Sequence, residues 1–203
     1  VYKRQMYGEV YFLRAYYYFE LVKFFGDVPL FTEARLTAGQ AGTLTRTPKD
    51  EVYAQIELDL QNAIASLPNS QSQVGRVNKY TAYALLGKVL LFQDKFAEAA
   101  SALDNVIGVY SLVSDYGSQF LRFGENGPES VFEIQYSNQS NWYDWGCAHC
   151  SEGNYAIIMN GPRGWSGPEY AQGWSFNVPT EEFYNSFEEG DSRRDATVLD
   201  IEA

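Results

Sequence analysis

Residues 9–32 read EVYFLRAYYYFELVKFFGDVPLFT, and the fold is decided by what this stretch can form. Val10, Leu13, Tyr17, Leu21 and Phe24 recur at helical spacing, and Phe12, Ala15, Phe19 and Val22 make a second apolar stripe beside them. A helix so furnished is expected to have apolar partners on two sides. Gly26 stands where a helix end calls for a left-handed residue, and Pro29 prevents a restart, so Val28-Pro29-Leu30 leaves as an extended segment.

Outward from this helix, residues 33–46 carry Gly39 and Gly42 and no apolar period, which predicts an exposed loop. Thr47-Pro48-Lys49-Asp50-Glu51 predicts a helix start, with Thr47 as N-cap, Pro48 at the first helical position and carboxylates in the first turn. Val52, Ile56, Leu60, Ala63 and Leu67 form its apolar stripe, and Pro68 ends it. Residues 77–93 and 96–107 predict a third and fourth helix joined by a turn at Asp94-Lys95. Tyr83, Leu86-Gly87, Leu90, Ala99, Leu103 and Val106 follow the tetratricopeptide spacing, in which small residues let paired helices approach. The first pair echoes the second: Tyr11, Ala15 and Tyr18 correspond to Tyr83, Gly87 and Leu90. The expected fold class is therefore mainly α, with tetratricopeptide-like helical pairs, a loop-rich subdomain and a small β-hairpin. A helical scaffold over 1–109 is expected to precede a loop-rich aromatic binding region over 110–203. Two helical pairs are fewer than a solenoid needs, and the sequence is read as part of a longer chain.

In the second region, Ser130–Tyr136 alternates as a strand does, and Tyr155–Met159 is its expected hairpin partner. Residues 138–176 hold all four Trp and few regular elements, and a loop region of this length is usually functional. Thr180 predicts the cap of a last helix ending at Gly190, with Phe183, Tyr184 and Phe187 inward. Asp191-Ser192-Arg193-Arg194-Asp195 predicts a turn of locally paired charges.

With 203 residues, 45% of them hydrophobic, the chain can bury a sizeable core. The net charge of −11 repels phosphates, which excludes a nucleic-acid partner. No apolar run has the roughly 20 residues that cross a bilayer as a helix. The single His lies inside Cys147-Ala148-His149-Cys150, so serine and cysteine triads in their usual form are excluded. Zinc needs four ligands and this segment offers three, so no metal is expected; a local disulfide or a free thiol pair is the reading of the two cysteines.

Several segments, in order, resemble blocks of the SusD/RagB family of glycan-binding outer-membrane lipoproteins. They are Leu13-Arg14-Ala15 with Tyr18-Phe19, Phe25-Gly26-Asp27-Val28-Pro29-Leu30, Gly75-Arg76-Val77-Asn78, Phe96-Ala97-Glu98-Ala99, Tyr110-Ser111-Leu112, Glu129–Ile134 and Pro179–Thr197. The resemblance implies a non-catalytic protein without cofactors. It implies surface exposure at the outer membrane through a lipid anchor absent from this chain, and delivery of oligo- or polysaccharide to a TonB-dependent SusC-like transporter.

Sugar rings stack their C–H faces on aromatic planes while amides, carboxylates and guanidinium groups bond the hydroxyls. Asn141, Trp142, Tyr143, Asp144 and Trp145 offer both within five residues, and Asn160, Arg163, Trp165 and Tyr170 form a second candidate cluster on Gly-rich loops. Trp174, beside Phe176, is expected in the core. Two other classes compete. A glycosidase needs a pair of carboxylates about the sugar, and Asp144 alone is suitably placed. A tetratricopeptide interaction scaffold would use a groove on the helices instead.

Overall fold

The computed structural model describes residues 2–33, 35–137, 139, 146–147, 159–166 and 172–198. Two compact units emerge: Val1–Leu112 with Pro128–Glu133, and Val113–Gly127 with Ile134–Ala203.

The first unit is helical: α1 (Tyr2–Phe25), α2 (Ala38–Ala41), α3 (Lys49–Ser66), α4 (Lys79–Leu91) and α5 (Phe96–Leu103). Helix α1 packs along α3, α3 along α4 and α4 along α5, the pairing expected of tetratricopeptide-like helices. The predicted stripe of α3 is fully used: Val52, Ile56, Leu60, Ala63 and Leu67 are all buried. They meet Phe12, Ala15, Phe19 and Val22 of α1 in one core, which continues through Ala82, Leu86, Val89 and Leu90 of α4 to Ala99 and Ala102 of α5. The small-residue approach is real, since a Cβ on Gly87 would lie 2.5 Å from the Cγ of Leu103.

The expectation for α1 needs correction. Phe12, Ala15, Phe19 and Val22 are buried, whereas Val10, Leu13, Tyr17, Leu21 and Phe24 are between 41% and 76% exposed. At about 100° per residue the two stripes lie on opposite sides of the helix, and only one side meets α3 and α4.

Helix ends in this unit are fixed by polar contacts. Gly26 takes φ +65°, and its N–H donates to Val22 O at 3.0 Å. Val28 pairs with Thr47 in an isolated antiparallel bridge, and the Tyr18 hydroxyl accepts from Phe31 N at 2.8 Å and donates to Phe31 O at 3.2 Å. Helix α3 begins one residue later than predicted, at Lys49 after Pro48, with no side-chain cap from its own cap residue. Asp27 does that work from across the chain, its Oδ1 accepting from Lys49 N at 2.8 Å. Residues 33 and 35–46 are exposed but not wholly irregular: Thr37 and Gln40 form a capping box around the single turn α2. Helix α5 stops four residues short of the predicted end, and Ile107 is exposed.

The extended 130–133 segment rejoins this unit. Val131 O accepts from Thr81 Oγ1 at 3.2 Å, and the Phe132 ring meets Phe12 edge to face at 5.9 Å. Ser130–Tyr136 makes no ladder among the described residues, and 155–158 of its expected partner lie outside them.

The second unit carries 3₁₀ turns at Tyr116–Phe120 and Arg122–Gly124, then α6 (Glu181–Asn185) and α7 (Arg194–Thr197). Thr180 caps α6 as predicted, accepting from Phe183 N at 3.2 Å. This helix ends at Asn185 rather than Gly190, and Phe183 is exposed while Tyr184 and Phe187 are half-buried. The charged turn pairs locally, Arg193 with Asp191 at 2.6 Å and Arg194 with Asp195 at 3.0 Å.

Candidate functional site

In the second unit, residues 159–165 and 172–177 are laced together by their backbones. Phe176 N donates to Met159 O at 2.9 Å, Ser175 N to Gly161 O at 3.0 Å and Gly173 N to Pro162 O at 3.0 Å. The approach is close enough that only glycine fits: a Cβ on Gly173 would lie 2.4 Å from both Cα and O of Gly161. Arg163 is the clasp. Its N–H donates to Ser175 Oγ at 2.7 Å, and its Nε and Nη2 both donate to Trp174 O, at 3.0 and 2.7 Å.

Above this lattice stand the aromatic and amide groups. The Arg163 guanidinium lies 5.7 Å from the Phe176 ring centre, and the Trp174 and Phe176 rings are 5.6 Å apart at 53°. Phe176 is 66% exposed, so one ring is open to solvent beside a fixed cation. Asn160 is exposed and its Oδ1 accepts from Asn177 Nδ2 at 3.2 Å, which joins a pair of amides to the same patch. An open aromatic face with neighbouring amides matches the chemistry of sugar stacking and hydroxyl bonding.

Of the residues singled out from sequence, the structure brings Asn160, Arg163 and Trp165 into this unit, Trp165 being half-buried. Arg163 turns two donors inward to a carbonyl instead of outward to a ligand. Trp174, expected in the core, is half-buried. Asn141, Trp142, Tyr143, Asp144, Trp145 and Tyr170 lie outside the described residues. Phe176 and Asn177 were missed as site residues, and the available signal was their place two and three residues after Trp174 in the same stretch.

Cys147 is disulfide-bonded, and Cys150 is the other cysteine of the sequence. A bonded sulfur is no thiolate ligand. No group of three or more His, Cys, Asp or Glu suited to a metal occurs among the described residues. None of the described helices is long and apolar enough to cross a membrane.

The first unit has an open groove of about 560 Å³ between α3, α4 and α5, lined by Tyr83, Leu86 and Leu90 below and Gln61, Glu98 and Asn105 at its rim. Two further lining residues, Glu57 and Lys95, already form an ion pair at 2.6 Å.

Comparison with known proteins fits this architecture. Residues 2–91 match the SusD-like family model described as "Starch-binding associating with outer membrane". SusD-like protein P2 of Formosa agariphila is 33% identical over 202 residues, covering 97% of this chain and 39% of that protein. A solved laminarin-binding SusD-like protein is 37% identical, with a TM-score of 0.86 over 96% of this chain and 45% of its own. Surface glycan-binding protein A from Bacteroides thetaiotaomicron, solved in complex with laminarihexaose, is 27% identical, with a TM-score of 0.80 over 93% of this chain and 40% of its own. The chain thus spans less than half the length of these relatives. Matched along nearly its whole length in sequence and in backbone, with its helical half recognised by the family model, the chain belongs to the SusD/RagB family.

Proposed function

We propose that this chain binds oligo- or polysaccharide without chemical turnover. It works on the cell surface as part of an outer-membrane lipoprotein, and passes the bound glycan to a TonB-dependent SusC-like transporter. The observation that carries the reading is the 37% identity and 0.86 TM-score shared with a laminarin-binding SusD-like protein. Laminarin and laminarihexaose are therefore the first ligands of choice, with starch as the comparison.

The binding surface we assign combines Trp142 and Trp145, with Asn141, Tyr143 and Asp144 beside them, and the cluster of Asn160, Arg163, Trp165 and Tyr170. Aromatic faces supply stacking, amides and the Asp144 carboxylate bond hydroxyls, and Arg163 acts by holding the Trp174 backbone in place. The exposed Phe176 ring extends the platform.

Titration with these glycans, following Trp fluorescence and release of reducing ends in the same samples, tests the reading. The expected result is fluorescence change with laminarin, no released ends, and loss of the change in Trp142→Ala or Trp145→Ala. Released ends would favour a glycosidase built on Asp144. Silence toward every glycan would favour the scaffold reading, in which the groove over Tyr83 takes a protein partner.

A further inference from the structure

The groove between α3, α4 and α5 belongs to the first unit, whereas residues 134–203, which hold the Trp-rich loops, belong to the second. Its floor is apolar and buried, made by Leu86, Leu90 and Ala102, with the half-buried Tyr83 beside them. Its rim is polar and exposed, with Gln61 on α3 facing Glu98 and Ser101 on α5. Among the described residues no hydrogen bond or ion pair engages the side chains of Gln61, Tyr83 or Glu98. Asn105 turns its amide N–H to Ser101 O and Ala102 O, at 2.9 and 3.3 Å, which leaves Oδ1 as an acceptor. The walls are fixed. Glu57 accepts from Gln93 Nε2 at 2.8 Å and pairs with Lys95 at 2.6 Å, and the approach of Gly87 to Leu103 sets the spacing of α4 and α5.

We propose that this groove is a second saccharide site, separate from the loops, and that it takes a short uncharged glucan segment. The proposal rests on the glycan-binding reading and adds a site to it. A pyranose with equatorial hydroxyls is apolar on its ring faces and polar around its edge. Laid on Tyr83, Leu86 and Leu90, it meets an apolar floor below and the amides, hydroxyls and carboxylate of the rim at its edge. The rim supplies both donors and acceptors, as hydroxyl groups require, and a volume of about 560 Å³ is of the size that holds a small ligand. Charge selects the uncharged class. Lys95 already neutralises Glu57, Glu98 remains negative, and the chain carries −11 overall, so uronic acids and sulfated sugars are repelled. Because packed helices hold the walls, little ordering accompanies binding.

All four Trp lie within residues 142–174, so Trp fluorescence reports on the second unit and the groove needs its own probe. Laminarihexaose is titrated into the parent and into Trp142→Ala/Trp145→Ala protein, and the backbone amide of Ala102 is followed in proton–nitrogen NMR spectra. The expected result is a saturable Ala102 shift in both proteins, with affinity lowered about 10-fold by Gln61→Ala/Glu98→Ala. Both of these residues are exposed, and a parental melting temperature identifies folded variants. Ser101→Trp, also exposed, blocks the groove by bulk and should abolish the shift. An unmoved Ala102 amide alongside a Trp fluorescence change would overturn the proposal, leaving the functional reading intact and the groove to a protein partner. Equal shifts with glycerol at the same hydroxyl concentration would also overturn it, as contact with any polyol. An Ala102 shift without a Trp response would support the groove and count against the loop surface alone. Silence of both probes would overturn both.

Discussion

Arg14 and Asp59 hold α1 to α3 through a two-pronged ion pair, Nε to Oδ2 and Nη2 to Oδ1, both at 2.6 Å. The carboxylate is 1% exposed, and Gln55 Nε2 adds a third donor at 2.9 Å. Arg14 also donates from Nη1 to Thr32 O at 3.0 Å, so the pair ties the segment after α1 to the same point. The hydrogen bonds that Arg14 donates to Asp59 are the chief reason the guanidinium is held above its usual pKa. Arg14→Ala leaves a buried carboxylate without its cation and is expected to cost about 3–5 kcal/mol. Replacing both residues by apolar ones of similar volume is expected to cost much less. Urea unfolding of the single and double variants checks this, and equal losses in both would argue that packing, not the unpaired charge, is responsible.

Asp27 is a long-range helix cap. Its acceptance from Lys49 N joins the Gly-Asp-Val-Pro-Leu segment to the start of α3. Asp27→Ala is expected to lower stability by about 1 kcal/mol, while Asp27→Asn, which keeps an acceptor oxygen, retains most of it. A shift in the urea midpoint of the same size for both would show that the charge matters more than the hydrogen bond.

Acid should weaken the junction between α1 and the 71–76 segment. Burial acts to raise the Glu9 carboxyl, but hydrogen bonds from Arg76, Gln5 and Gln71 and the charge of Arg76 outweigh it, and the net shift is downward. Arg76 Nη2 lies 2.7 Å from Oε2. A carboxyl whose folded pKa is below the ordinary 4.5 stabilises the fold fully above that value, and the contribution fades as the pH falls through the lower folded one. Glu9→Gln is therefore expected to destabilise the protein at pH 7 and to narrow the gap to the parent as the pH falls below 4.5, read by thermal melting.

Asp191 is expected to stay ionised further into acid than any ordinary carboxylate. The Arg193 side chain and backbone N–H hold it down to about 2. Carboxyl resonances followed by NMR should put its midpoint near that value, and Arg193→Ala should return it toward 3.8. An unmoved midpoint would remove the Arg193 side chain as the cause and leave its backbone N–H.

Gly173→Ala tests whether the laced loops serve binding. The added Cβ meets the backbone of Gly161, which cannot give way as a side-chain tip does, and about 1–3 kcal/mol of overpacking is expected. Laminarin affinity should fall with it. A lowered melting temperature with unchanged affinity would set residues 159–177 outside the binding surface.

Asp59 illustrates what sequence reading passes over. It stands two residues after Glu57 in a helix rich in polar residues, and an acid there is ordinarily solvated. The usable signal was its register: Ile56 three residues before and Ala63 four after both face the core. The loop clasp was less legible, because Arg163 meets Trp174 O and Ser175 Oγ across 11 and 12 residues with no period to announce it. Residue types that suit sugar were readable there, but not that Arg163 is turned to the backbone.

By itself the sequence determined the helical pairs, the buried stripe of α3, the left-handed end of α1 at Gly26, the cap at Thr180 and the paired charges of 191–195. These follow from periodicity, backbone conformation and contacts within a few residues, which neighbours along the chain dictate. Tertiary structure decided which of the two apolar faces of α1 is covered, which carboxylate is buried beside Arg14, and that Asp27 caps a helix 22 residues away. Periodicity defines a face but names no partner for it, and the partner is chosen only when distant segments compete to remove the same apolar surface from water.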